Sequence, residues 1–193
     1  MSRREVLGTL GAAGAALVFP GVTGRGASSA SERTADVKDA GAMNARALDC
    51  VVAPELTEGP FFVNENLNRS QLTIGTTEPF VTKGLPLLLK LGVFKVNGSV
   101  CAQLAGAQVD IWHASAEGVY SDERSGRIQG KNTVGERYLR GYQITDQNGA
   151  VAFATIYPGW YVGRTIHIHF KIRSFSKSGH EAYDFTSQPC RTG

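Results

Sequence analysis

The chain has 193 residues, 42% of them hydrophobic and 19% charged, which suits one globular domain and excludes a fibrous or wholly disordered chain. Its formal net charge of +3 is partly a property of the first thirty residues: three of the 20 basic and one of the 17 acidic side chains lie there, leaving 17 and 16. No basic stripe remains to neutralise phosphates, so a nucleic-acid partner is not expected.

Residues 1–30 read as a signal peptide of the twin-arginine type. Arg3-Arg4 precedes the apolar run LGTLGAAGAALVF, and Ser28 and Ala30 supply the small side chains a signal peptidase reads. That run is short and rich in Gly and Ala, and nothing later approaches membrane-spanning length, so no stable membrane insertion is expected after its removal. The expected location is exported, periplasmic or extracellular. Residues 31–49 are polar, small and weakly patterned, as in a flexible linker. The folded domain is expected to occupy 50–193. It carries all three cysteines, Cys50, Cys101 and Cys190, so the simplest arrangement in an oxidising compartment is one disulfide and one thiol, with Cys50–Cys101 the expected pair.

From Cys50 onward the punctuation is that of a β protein. LLLKLGVFKV (87–96) runs into Asn97-Gly98, AQVDIWHA (107–114) alternates apolar and polar residues, and YQITD (142–146) reaches Gln147-Asn148-Gly149 before AVAFATIY (150–157) resumes the pattern. TIHIHFKIR (165–173) and EAYDFTSQ (181–188) add two runs. The expectation is an all-β β-sandwich of mostly antiparallel strands, without long helices. The stretches 55–82 and 114–139 are too long for hairpin turns and are expected to be long, site-bearing loops.

Within 165–173, a strand would put His167 and His169 on one face and Ile166, Ile168 and Phe170 on the other, towards a core. Two imidazoles close enough for one ion rarely complete a shell. Tyr161, in the Pro158-Gly159-Trp160-Tyr161 turn, and Tyr120, in EGVYSD, are candidates to join them, although spacing alone does not select these tyrosines. Two phenolates and two imidazoles would suit a hard trivalent cation, Fe(III) above all. His113 reads as a packing residue or a support to the site, and His180 as exposed. The 123–136 loop receives no role.

Four separated stretches, LTEGPFF (56–62), GAQVDIWHASAEGVYSD (106–122), RYLRGYQITDQNGAVAFATIYPGWYVGRTIHIHFKIR (137–173) and FTSQ (185–188), resemble the intradiol ring-cleavage dioxygenases, in particular exported members of the protocatechuate and catechol dioxygenase family. The resemblance implies non-haem Fe(III) held by Tyr120, Tyr161, His167 and His169. It makes Tyr161 the ligand that substrate displaces and that takes a catechol proton. Arg164 would be the cation beside the substrate ring, Gln188 would lie beside the reacting carbon, and Thr57, Glu58, Gly59 and Pro60 would form the substrate-pocket loop. The implied reaction is cleavage of a catechol-type ring by O2 to a cis,cis-muconate-type dicarboxylic acid. After Gln188 the chain departs from the family pattern, reading Pro189-Cys190-Arg191-Thr192-Gly193, so a closing segment is expected to be missing and Pro189 to interrupt strand pairing. Two alternatives stay open: an exported, non-catalytic binding module working through Trp112, Trp160 and Tyr161, and a degenerate, truncated dioxygenase. A homo-oligomer is equally open.

Overall fold

The computed structural model describes residues 14–15, 53–76, 83–97, 100–126 and 128–188. The expectations for Arg3-Arg4, the 28–30 cleavage site, the 31–49 linker and the segment after Gln188 lie outside these residues. Cys101 is disulfide-bonded; its partner also lies outside them, so the Cys50–Cys101 pairing is not decided.

Nine strands and no helix occur among the described residues, in agreement with the all-β β-sandwich expected. They are β1 (Gly14–Ala15), β2 (Pro86–Gly92), β3 (Phe94–Asn97), β4 (Val100–Gln103), β5 (Gln108–Trp112), β6 (Arg140–Ile144), β7 (Ala150–Ile156), β8 (His169–Phe175) and β9 (Glu181–Ser187). All pairings between strands are antiparallel, in sheets ordered β1-β3-β4, β2-β7 and β6-β5-β8-β9.

The core follows from the two-residue period. In the β2–β7 pair, Leu89 faces Phe153 and Leu91 faces Val151, and all four are buried. They pack with Val109 and Ile111 of β5, Phe170 and Ile172 of β8 and Phe185 of β9 in one apolar cluster. Burying such side chains is worth about 1.5–3 kcal/mol each.

In β5, β8 and β9 the alternate residues form the opposite, largely polar face of the sheet, to which the segment 53–68 is bonded. Leu56 N–H donates to the Thr186 carbonyl at 2.9 Å, and Ser187 Oγ donates to the Pro54 carbonyl at 2.8 Å. Lys171 Nζ bonds Glu58 at 2.8 Å and Asp184 at 3.1 Å, while Arg173 meets Asp110 through two bonds of 2.7 and 2.9 Å.

Two expected runs are corrected. LLLKLGVFKV is two strands, not one: it breaks at Val93, whose N–H donates to the Gly149 carbonyl and whose carbonyl accepts from Leu104 N–H. The run 165–173 becomes a continuous ladder only at His169, with His167 in an isolated bridge before it. Ile168 and Phe170 enter the core and His167 meets His169 on the opposite side, as the alternation predicts, but Ile166 stays 38% exposed instead of facing the core.

Candidate metal centre

Three pieces of backbone bring the four donors together. His169 opens β8 directly opposite Trp112 of β5, and the indole stacks on the imidazole at 4.8 Å and 11°. His167 is held by its own turn: its Nδ1–H donates to the Thr165 carbonyl at 2.5 Å. The neutral ring then has its lone pair on Nε2.

Tyr120 and Tyr161 arrive on two loops that touch through glycine. Gly118 has φ +79°, and a Cβ on it would stand 2.2 Å from the Trp160 carbonyl oxygen. A Cβ on Gly159 would stand 2.1 Å from the Ala116 oxygen, and both glycine N–H groups donate to the Ser115 carbonyl, at 3.0 and 2.8 Å. Only glycine permits this approach.

The four donor atoms meet at His167. Its Nε2 lies 3.1 Å from His169 Nε2, 3.3 Å from Tyr161 Oη and 3.4 Å from Tyr120 Oη. Tyr120, His167 and His169 are buried, and Tyr161 is half-buried. Burial lowers the affinity of both imidazoles for a proton, with His169 brought down to about 3, so both stay neutral and keep a lone pair for a cation. Burial, and then the neighbouring Tyr161 phenol, push the Tyr120 hydroxyl far above its ordinary value. That phenol ionises only against a strong positive charge placed beside it.

Two neutral nitrogens and two phenol oxygens converge in a buried space, and His169 Nδ1 finds no partner among the described residues. Among the described residues no group of three His, Cys, Asp or Glu could hold an ion, so the tyrosines are indispensable to the set. Hard oxygen donors beside imidazoles suit Fe(III).

Around the donors, Phe61 stacks on Tyr120 at 4.3 Å and meets Tyr161 edge-on at 5.8 Å. Gly59, with φ +76°, lies where an added Cβ would be 3.4 Å from His169 Cε1. Arg164 donates through Nη2 to Gln188 Oε1, and Gln188 Nε2 donates to the Thr57 carbonyl at 2.6 Å. Arg164 also depresses both imidazoles electrostatically, so its charge reaches the centre. The six residues singled out, Tyr120, Tyr161, Arg164, His167, His169 and Gln188, thus lie together, and Thr57 and Gly59 of the 57–60 loop border them, while Glu58 turns to Lys171. His113 does not reach the donors: its ring nitrogens bond the Ala114 carbonyl at 2.8 Å and Thr155 Oγ1 at 2.7 Å. His180 is exposed.

Sequence reasoning missed Arg140. It is 2% exposed, opposite Trp112 across β5–β6, and donates to Ser121 Oγ at 2.8 Å, the Ser121 carbonyl at 2.6 Å and the Phe61 carbonyl at 2.6 Å. One guanidinium fastens the Tyr120 loop to the 53–68 segment. An arginine inside a strand-like run was the available signal. Its acceptors lie 19 and 79 residues away in the chain and were not readable from its own stretch.

Residues 57–181 match the protein-family model described as "Dioxygenase". Catechol 1,2-dioxygenase of Acinetobacter baylyi is 32% identical over 112 residues, covering 56% of this chain and 32% of that protein. Chlorocatechol 1,2-dioxygenase of Pseudomonas putida is 27% identical over 135 residues, covering 60% and 46%. The matched part thus spans less than half the length of these curated relatives. Among solved structures, an intradiol ring-cleavage dioxygenase from Tetranychus urticae superimposes with TM-score 0.54 and 34% identity over 71% of this chain and 64% of that one. The family match covers well over half of the chain, and the protein belongs to the intradiol ring-cleavage dioxygenase family.

Proposed function

We propose that the protein cleaves a catechol-type aromatic ring between its two hydroxylated carbons, using Fe(III) and O2, to give a cis,cis-muconate-type dicarboxylic acid. The observation that carries this reading is the convergence of Tyr120 Oη, Tyr161 Oη and His169 Nε2 within 3.1–3.4 Å of His167 Nε2. Tyr120, Tyr161, His167 and His169 would hold the iron. When bound, Fe(III) would withdraw electron density from a catecholate and so open the ring to attack by O2.

The chain's own residues do the rest. Tyr161, half-buried on its glycine-framed turn, would be a phenolate while it holds the metal, and on leaving would take onto Oη the proton of one hydroxyl of the incoming catechol, while the more deeply buried Tyr120 stays in place. Arg164, held by Gln188, offsets negative charge that develops on the ring oxygens; a preorganised donor of this kind is worth about 3–4 kcal/mol in the transition state. Phe61 and Trp112 keep water from Tyr120 and His169 by stacking directly on them. The 57–60 loop is tied down by Gln188 and Lys171 and would form one wall of the substrate site. Export by the twin-arginine route belongs to the same reading and rests on Arg3-Arg4 and the run that follows.

Purified protein loaded with ferric iron is expected to show a visible tyrosinate charge-transfer band. It is also expected to consume one O2 per catechol and to accumulate the muconate. Failure to bind ferric iron, or cleavage outside the two hydroxyl-bearing carbons, would overturn the reading.

A further inference from the structure

Tyr120 lies outside any strand, between β5 and β6, yet its main chain is fully partnered, and side chains supply the partners. Gln129, 6% exposed, accepts from Tyr120 N–H at 2.8 Å with its amide oxygen and donates to the Tyr120 carbonyl at 3.0 Å with its amide nitrogen. This is the donor–acceptor pair a neighbouring strand would offer. Thr133, 3% exposed, donates to the same carbonyl at 2.6 Å, and the Tyr138 hydroxyl stands further off at 3.4 Å.

The glutamine is itself held. Its nitrogen is 3.0 Å from the Lys131 carbonyl and 3.2 Å from Thr133 Oγ1. Asp122 N–H donates to the Thr133 carbonyl at 3.0 Å and Thr133 N–H to the Glu123 carbonyl at 2.8 Å, closing the loop behind Tyr120. On its other side the 128–130 stretch borders an open cavity of about 410 Å³ shared with Gly118, Trp160 and Tyr161. Packing does not press the loop home from that side; the hydrogen bonds hold it.

We propose that Gln129, seconded by Thr133, is the positioning residue of the Tyr120 phenol: its side-chain amide takes the place of a strand partner and sets where the phenol oxygen stands beside His167. The inference rests on the reading of Tyr120 as a metal ligand. A phenol is a long lever, so a small tilt of the Tyr120 peptide becomes a larger displacement at Oη, and such a site tolerates only about 0.5 Å. Gln129→Met keeps the volume and removes the amide. Thr133→Val removes one donor. Thr145→Val is the control, because Thr145 makes the same kind of buried clamp elsewhere, donating to the Leu104 carbonyl at 2.7 Å and accepting from Ala107 N–H at 2.9 Å.

The test has two parts. In metal-free protein labelled with 13C-tyrosine, Gln129→Met is expected to shift or broaden the Tyr120 ring signal, Thr133→Val to do so less, and Thr145→Val to leave it in place while lowering the melting temperature. In iron-loaded protein, Gln129→Met is expected to move the charge-transfer band and to release iron to a chelator at least tenfold faster. An unmoved Tyr120 signal in Gln129→Met, or in Thr133→Val should the first variant not fold, overturns the proposal, as does an equal shift in Thr145→Val. Wild-type protein that takes up no ferric iron overturns the metal reading instead, and the metal-free comparison still decides the clamp.

Discussion

The two faces of the β6-β5-β8-β9 sheet are built from alternate residues of the same strands and work by different physics. The inner face, Val109, Ile111, Phe170, Ile172 and Phe185, is apolar and packs against Leu89, Leu91, Val151 and Phe153. Any side chain of similar shape would serve there. The outer face, Asp110, Trp112, Arg140, His169, Lys171 and Arg173, is almost as well covered, but every group on it depends on a named partner. Stability is spread over the first face, and the proposed chemistry draws on the second. Neighbouring residues of one strand should therefore fail in different ways when changed.

His169 and Phe170 provide the sharpest separation. His169→Ala removes one of four converging donors, and ferric-iron affinity is expected to fall at least a hundredfold, read by equilibrium dialysis, with the metal-free fold retained by circular dichroism. Tyr120→Phe should lose the charge-transfer band of the substrate complex, whereas Tyr161→Phe should mainly slow substrate binding. Full iron occupancy in His169→Ala would take that residue out of the site and collapse the distinction between the faces.

Phe170→Ala, one residue on, should do the converse. It is 2% exposed within the main cluster, and truncation is expected to cost about 3–5 kcal/mol in urea unfolding of the metal-free protein. The fraction that stays folded at low temperature should bind iron with wild-type affinity. A large change in that affinity would mean the two faces are mechanically coupled.

The smallest effect concerns the polar exception on the inner face. His113 continues the Val109, Ile111 alternation, is 1% exposed, and ties β5 to Thr155 of β7. Burial lowers its pKa to about 4 from an ordinary value near 6.5. Between those values the unfolded chain binds the proton and the folded one does not. The stabilisation is therefore complete above about pH 6.5 and is lost as the pH falls towards 4, amounting to on the order of 3 kcal/mol. His167 and His169 act in the same direction in the metal-free protein. Urea midpoints at pH 7 and pH 4.5 should fall less steeply for His113→Gln than for wild type; parallel falls would assign the acid sensitivity to other groups.

Much of this was legible from residue order where the physics is local. Two-residue alternation located β5, β7 and β9 to within a residue or two, and Asn97-Gly98 marked the β3–β4 hairpin. The alternation placed the His-x-His pair on one side and Ile168 and Phe170 in the core, and it missed the exposure of Ile166 and the bond from His167 to the Thr165 carbonyl that orients the ring. The break at Val93 was hidden because its partners, Gly149 and Leu104, come from elsewhere in the chain. Alternation carries no information about such distant bonds. The choice of Tyr120 and Tyr161 came from family resemblance; neither lies in a named strand, and each is placed by contacts across loops. Gln129 and Arg140 escaped notice for the same reason, their role being defined by acceptors on other segments.

The interlock of Gly118 with the Trp160 carbonyl, and of Gly159 with that of Ala116, bears on how the site can be altered over generations or by design. Each loop is the mould in which the other is cast. A substitution that enlarges either glycine displaces the opposing backbone, and with it the tyrosine on the far side. Variation at these positions must therefore travel in pairs. A chimera that imports residues 115–121 from a relative will need that relative's 157–161 as well, and a 53–68 segment whose Phe61 still fits both tyrosines.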